Sequence, residues 1–108
     1  MISQKEIVTI NTYPGKEVTE VLGYVKGSVV QSKHVGRDFM AGLKTIVGGE
    51  LKGYTEMLEE ARQIATERML QEADALDADA VIGFKIQTSA VTQGASEIIA
   101  YGTAVKLK

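Results

Sequence analysis

The sequence lacks cysteine altogether and contains a single histidine among its 108 residues. Without cysteine, the chain can form no disulfide, offers no thiolate nucleophile and supplies no thiolate to a soft metal ion. One histidine does not build a metal site alone, because protein zinc sites take about three or four protein ligands. No serine elbow with histidine and aspartate partners is visible either. The absence of a complete catalytic set favours a protein that is not an enzyme.

Strong charge of one sign and long apolar runs are also missing. The formal net charge is −2, and no cluster of lysines or arginines marks a surface for nucleic acid or for anionic lipid. No apolar run approaches the length of a bilayer span, and the opening segment lacks the apolar core of a signal peptide. We therefore expect one soluble, cytoplasmic domain over residues 1–108, with no nucleic-acid or membrane partner.

Hydrophobic periodicity divides the chain into six predicted elements. Alternating residues predict strands, and apolar residues at helical spacing predict helices, of which the first has Asp38 and Gly48 as its caps. In chain order, these are strands over 6–11 and 19–33, helices over 38–48 and 54–76, and strands over 80–91 and 96–108. The β-β-α-α-β-β order predicts an α+β fold with a four-stranded, mainly antiparallel sheet and two helices on one face.

Two predicted strands carry a face made of small residues. In one strand this face comprises Val21, Gly23, Val25, Gly27 and Val29, opposite a second face of Leu22, Tyr24, Lys26, Ser28 and Val30. In the last strand it comprises Ile98, Ala100, Gly102 and Ala104. Glycine weakens a strand interior and often marks a place where another backbone approaches closely. We therefore expect helices to lie across these small-residue faces.

The opposite faces remain apolar, which predicts self-association. They carry Ile82, Phe84, Ile86, Ile99, Tyr101, Val105 and Leu107. A monomer would leave much of this surface in water, more than monomeric proteins usually expose, whereas symmetric oligomers bury such patches. Leu70 lies off the apolar stripe of its helix, so we expect it to be exposed and to hint at a partner surface.

Three segments, in order, resemble the YbjQ-like family of small bacterial and archaeal proteins. They are GRDFMAGLKTIVGGELKGYTEMLEEAR, ADAVIGFKI and EIIAYGTAVKL, and the similarity covers residues 21–107. Members of this family are described as heavy-metal-binding proteins of otherwise uncharacterised function. The resemblance implies a small α+β domain assembled into a homopentameric ring, whereas the apolar faces alone imply only an oligomer.

The segment from His34 to Asp38 is the strongest candidate for a ligand site or a subunit contact. His34 would be a metal ligand or a general base oriented by Asp38, or else a polar loop residue beside a helix cap. Arg37 would pair with Asp38 at a subunit boundary or bind an anionic ligand, or else be a solvated charge. In a ring, symmetry would bring several copies of His34 around one axis.

Tyr101, beside Gly102, is the fourth candidate, because it either lines a pocket or packs in the core or in an interface. Asp74, Asp77 and Asp79 lack the glycine and distal glutamate of a calcium loop, so we expect a solvated loop there.

Taken with the family resemblance, the sequence favours a non-enzymatic, homo-oligomeric module that binds metal ions or a small ligand at its subunit boundaries. The alternative is a structural or interaction protein that binds a protein partner and no small molecule.

Overall fold

The computed structural model describes residues 6–32, 46–47, 50–92 and 95–108. Its strands are β1 (Val18–Ser32), β2 (Ile46–Val47), β3 (Glu50–Leu51), β4 (Ala80–Thr92) and β5 (Ala95–Leu107), and helix α1 spans Lys52–Ala75. An antiparallel, three-stranded sheet has the order β1-β5-β4, and β2 pairs separately with β3. The described chain is therefore an α+β fold with one helix against one face of its main sheet.

Helix α1 and the three long strands confirm their sequence predictions, but the four-stranded, two-helix layout is not what the described residues show. Over residues 6–11, an isolated parallel bridge joins Ile7 to Val81 in place of a full strand. The predicted helix over 38–48 lies mostly outside the described residues, and at its end the prediction is wrong, since Ile46–Val47 form β2. Both residues are β-branched and favour strands.

Helix α1 covers the inner face of the sheet, defined by Val25, Gly27 and Val29 of β1 and Ile98, Ala100, Gly102 and Ala104 of β5. All seven residues are buried, and five of them belong to one core cluster with Ala61, Ala65 and Met69 of the helix. A Cβ atom at Gly27 would overlap the helix backbone at Ala65 and Met69. The strand and the helix thus approach as closely as glycine permits, which confirms the prediction at Gly27. At Gly102, an added Cβ would instead meet Val81 and Ile82 of β4.

The strand edges are hydrogen-bonded to other parts of the chain at several positions. Along β1, Arg68 Nη1 donates to the Ser28 carbonyl at 2.6 Å, and the Lys26 N–H donates to Glu72 Oε1 at 3.2 Å. Along β4, the Val8 N–H donates to the Val81 carbonyl at 3.0 Å. Covered edges discourage the addition of a further strand. Within the described part of the chain, these edge positions are therefore closed to a further strand.

A β-bulge at Gly83 overturns the prediction that Ile82, Phe84 and Ile86 share one face. Ile82 pairs with Thr103, but the next paired residue of β4 is Lys85, opposite Tyr101. Gly83 itself has a φ of 62°, in the left-handed region that glycine tolerates best. The extra residue reverses the alternation, so Phe84 and Ile86 pack against the core beneath the helix. Only Ile82 stays on the opposite side.

A second bulge changes the expected faces of β1. The register shifts between Val21 and Gly23, so two successive residues fall out of strict alternation. Leu22 packs against the core, whereas Val21 is 65% exposed. The predicted row that began at Val21 is therefore correct only for its later members, because the bulge moves the alternation by one residue.

Two leucines at the end of α1 reverse their predicted roles. Leu70, which was expected at the surface, is buried in the core. Leu76, the last residue of the predicted helix and at the spacing of its apolar stripe, is 42% exposed. The helix ends at Ala75, so Leu76 falls in the following turn and leaves the helical stripe.

Among the described residues, no helix combines the length and apolar character that a bilayer span requires.

Candidate functional site

Of the four candidate site residues predicted from the sequence, the structure describes Tyr101. His34, Arg37 and Asp38 are outside the described residues, and their roles stay predictions. Tyr101 lies on β5, the central strand, where its ring meets that of Tyr24 edge-on with centroids 6.4 Å apart. The Tyr24 side of this contact is 60% exposed. Tyr101 is thus part of an aromatic pair on an open sheet surface.

The outer face, opposite α1, surrounds this aromatic pair with mixed chemistry. The face is defined by Tyr24, Lys26, Ser28 and Val30 of β1, Ile99, Tyr101 and Thr103 of β5, and Ile82, Lys85 and Gln87 of β4. Tyr101 lies between Lys26 and Lys85 in the register. Because Phe84 and Ile86 face inward and Val105 is fully buried, this surface is less apolar than predicted.

A second candidate is a cleft of about 350 Å³ between α1, β4 and the segment that precedes β1. This helix–β4 cleft has an apolar floor of Ile7, Phe84 and Ile86. Its polar rim comprises Glu59, Arg62, Gln63 and Thr66 of the helix and Thr9 of the preceding segment. Ligand pockets typically measure roughly 300–1,000 Å³ and combine an apolar lining with a few polar groups. The cleft therefore falls at the lower end of this size range, and it is open to solvent along its polar rim.

The rim of the helix–β4 cleft is held by contacts along the helix. Arg62 Nη1 donates to Glu59 Oε1 at 2.6 Å, and Gln63 Nε2 donates to Glu67 Oε1 at 3.2 Å. The Thr66 hydroxyl donates to the Arg62 carbonyl at 2.8 Å, which anchors the one buried polar side chain of the described core. Residues three and four positions apart lie on one side of a helix. Glu59, Arg62 and Gln63 therefore face the cleft together.

Sequence reasoning missed this cleft because its residues looked like an ordinary charged helix face. In the sequence, Glu59 and Arg62 fall on the charged side of the helical pattern, which is typical of a solvated face, and alternation assigns Phe84 and Ile86 to the opposite face of the sheet. The Gly83 bulge brings those two apolar residues beneath the helix. The available signal was Gly83 itself, since an isolated glycine in a strand pattern often indicates a bulge.

The described residues do not fit a heavy-metal site. No group of three or more histidine, cysteine, aspartate or glutamate side chains comes together among them. Near the end of β5, Asp77 Oδ2 and Asp79 Oδ1 lie 3.2 and 3.8 Å from Lys106 Nζ, and Asp79 Oδ2 also accepts the Leu107 N–H. These carboxylates are engaged with cationic and amide groups, whereas heavy metals favour sulfur and imidazole ligands.

The fold and the sequence both have known relatives. The chain is similar to the crystal structure of a protein with unknown function from the DUF74 family of Pediococcus pentosaceus, with a TM-score of 0.64 at 18% identity. The superposition covers 94% of this chain and 96% of that one. At such low identity, the likeness shows a shared fold and nothing about activity.

Sequence comparison gives much stronger similarities. A UPF0145 protein of Psychromonas ingrahamii is 61% identical over 100 residues, covering 93% of this chain and 95% of that protein. One of Thermotoga maritima is 61% identical over 102 residues, covering 94% and 96%. The model of the YbjQ family, described as "Putative heavy-metal-binding", matches residues 6–108. With both kinds of match extending over nearly its whole length, the chain belongs to the YbjQ family of UPF0145 proteins.

Proposed function

We propose that the chain is a non-enzymatic binding module that works as a homo-oligomer, a pentameric ring, and holds a small ligand at its subunit boundaries. The observation that carries this proposal is the open aromatic pair on the outer face, where Tyr24 is 60% exposed beside Tyr101. Aromatic side chains are enriched in protein interfaces, because they bury a large apolar area with few rotatable bonds. The family resemblance supplies the pentameric ring.

Charge supports a head-to-tail contact between copies. On the outer face, Lys26 and Lys85 flank Tyr101. The exposed side of α1 is mainly acidic, with Glu56, Glu59, Glu60, Glu67 and Glu72. An outer face that meets the acidic helix of a neighbouring subunit makes a heterologous interface, the kind that forms a ring where the rotation between subunits closes and a filament where it does not. Complementary charge would also orient the approaching subunits.

Within the described part of the chain, the side chains available for binding favour a small organic ligand over a heavy metal. The family description supports metal binding, but no described cluster offers suitable ligands. A metal would therefore depend on His34 contributed by several subunits, with Arg37 and Asp38 nearby in sequence. This assignment stays a prediction, and it fails if replacing all three residues leaves metal binding intact in the assembled ring.

Native mass spectrometry of the protein as purified, without added metal or chelator, tests the proposal. We expect a pentamer mass with a reproducible additional mass from ligand. Tyr24→Glu should weaken assembly by about tenfold or more, because it removes an exposed aromatic ring and places a carboxylate against the acidic helix of the neighbouring subunit. The control is Leu76→Glu, which charges another exposed large side chain, 42% exposed against 60% for Tyr24, away from the outer face, and it should leave the pentamer unchanged.

Each outcome has a distinct consequence. A monomer as purified would overturn the proposed ring, and so would a ring that resists Tyr24→Glu but falls apart with Leu76→Glu. A ring without additional mass, before and after metal titration, would instead favour the alternative of a structural protein that binds a protein partner. Circular dichroism of both variants establishes that any monomer is still folded.

A further inference from the structure

The helix–β4 cleft lies within one chain, so its binding properties can be considered independently of the ring. Its floor of Ile7, Phe84 and Ile86 consists of half-buried side chains that pack against the core. A ligand that covered this floor would remove apolar surface from water, which is favourable by about 25 cal/mol per Å². The cleft therefore selects for a ligand with an apolar body, and Phe84 favours an aromatic one.

Arg62 supplies the recognition group at the rim. Its guanidinium carries five N–H donors in a planar fork, and the contact with Glu59 uses Nη1. A carboxylate accepts such a fork through two parallel hydrogen bonds, which gives both strength and orientation. Arg62 is the cationic residue among those that line the cleft. It therefore favours a ligand with an anionic group.

The ion pair with Glu59 does not prevent this interaction. The Glu59 side chain is 67% exposed and the Arg62 side chain 41%, so the carboxylate is the partner nearer to bulk water. Solvent-exposed ion pairs contribute only about 0–1 kcal/mol, and this leaves Glu59 free to turn outward at small cost. Gln63 and Thr9 provide further polar groups at the same rim.

We propose that the helix–β4 cleft binds a small aromatic monocarboxylate, with its ring over Phe84 and its carboxylate on Arg62 in place of Glu59. Such a ligand matches the apolar floor, the single cationic rim residue and the cleft volume of about 350 Å³. A divalent cation does not match, because the lining offers one carboxylate, Glu59, beside the positive charge of Arg62. Every lining residue belongs to one chain, so the site needs no second copy, and only its Glu59 is shared with the acidic side of α1 that the proposed ring would contact.

Phenylacetate is the probe that tests this site, with the neutral phenylacetamide and the small anion acetate as comparison ligands. A ligand of roughly ten non-hydrogen atoms at about −0.4 kcal/mol per atom corresponds to a dissociation constant near 1 mM. We therefore use two-dimensional amide NMR titration. Phenylacetate should shift the amides of Phe84, Ile86 and the Arg62 region. Both comparison ligands should bind about tenfold more weakly or not at all.

Two substitutions should change the affinity for phenylacetate in opposite directions, and a third serves as their control. Arg62→Gln should weaken phenylacetate binding about tenfold or more, through loss of the charged fork. Glu59→Gln should strengthen it by about two- to fivefold, because the competing carboxylate is removed. The matched control is Arg68→Gln, which removes the other arginine in the described part of α1, a residue that contacts Ser28 and does not line the cleft. It should leave the affinity unchanged within about twofold.

The proposal is overturned if phenylacetamide binds as well as phenylacetate, if Arg62→Gln leaves the affinity unchanged, or if Glu59→Gln weakens binding. The same conclusion follows if phenylacetate shifts only amides of the outer face. An increase in affinity from Glu59→Gln cannot arise from general loss of structure. The titration and the oligomer measurement are separate, so a monomeric protein that binds phenylacetate would refute the ring and support the cleft.

Discussion

Along β5, Ile98, Ala100 and Ala104 are fully buried on the inner face, whereas Ile99, Tyr101 and Thr103, which alternate with them, stay partly exposed on the outer face. Ala100 and Ala104 are small and admit a helix backbone, whereas Ile98 fills the core. The outer residues lie among lysines, and these charged side chains keep the surface compatible with water. The two faces of one strand thus separate two tasks: the inner face stabilises the domain, and the outer face is available for contact with another molecule.

Gly27 is the position where a substitution should most disturb the packing of α1 against the inner face. We expect Gly27→Val to lower the free energy of unfolding by about 4 kcal/mol or more, beyond the usual 1–3 kcal/mol of overpacking. The reason is that the new Cβ would overlap the backbone of α1, which cannot rotate aside as a side chain does. Urea denaturation at a fixed protein concentration measures the change.

The control for Gly27 is its neighbour on the outer face. Ser28→Ala changes a side chain that points away from the helix, and the Ser28 group that Arg68 contacts is the backbone carbonyl. We expect this change to stay within about 0.5 kcal/mol. If Gly27→Val and Ser28→Ala had similar effects, the helix could not lie as close to β1 as described.

Much of the inner face could be predicted from alternation alone. The positions of Val25, Gly27, Ile98 and Ala100 follow from a period of two, and the glycine indicated a close backbone approach. The face predictions that are wrong concern Val21 and Phe84, each of which lies at a β-bulge. A bulge shifts alternation by one residue, and its sequence signal is a lone glycine that is equally compatible with a small-residue face.

A second test compares two leucines at one end of α1. Leu70→Ala should lower the free energy of unfolding by about 3 kcal/mol, because it opens a cavity in the core. Leu76→Ala should lower it by less than about 1 kcal/mol, because that side chain is already 42% exposed. The same urea denaturation measures both, and a larger effect at Leu76 would restore the original sequence prediction for this pair.

The candidate sites were less predictable than the fold, for a physical reason. Tyr101 could be nominated because a tyrosine stood out on an alternating strand. The helix–β4 cleft could not, since it joins Ile7, Arg62 and Phe84 from three elements that only the folded chain brings together. Arg62 and Glu59 form an i,i+3 pair, and such pairs occur on many helix surfaces without any ligand.

The smallest expected effect concerns Gly83, where the bulge assigns Phe84 and Ile86 to the inner rather than the outer face. Gly83→Ala should lower the free energy of unfolding by about 1–2 kcal/mol, since a left-handed φ disfavours a residue with a Cβ. The new atom would also lie 3.2 Å from Asn11 Oδ1, whereas Gly15→Ala, at a φ of 81°, meets nothing within 4 Å. Gly15→Ala is therefore the control, and it should lower the free energy of unfolding by less than Gly83→Ala does.

Hydrogen exchange of the Phe84 amide, which donates to the Val8 carbonyl at 3.0 Å, should accelerate only in Gly83→Ala. If both variants leave that exchange unchanged, the bulge does not depend on glycine, and the assignment of Phe84 to the cleft floor needs another cause.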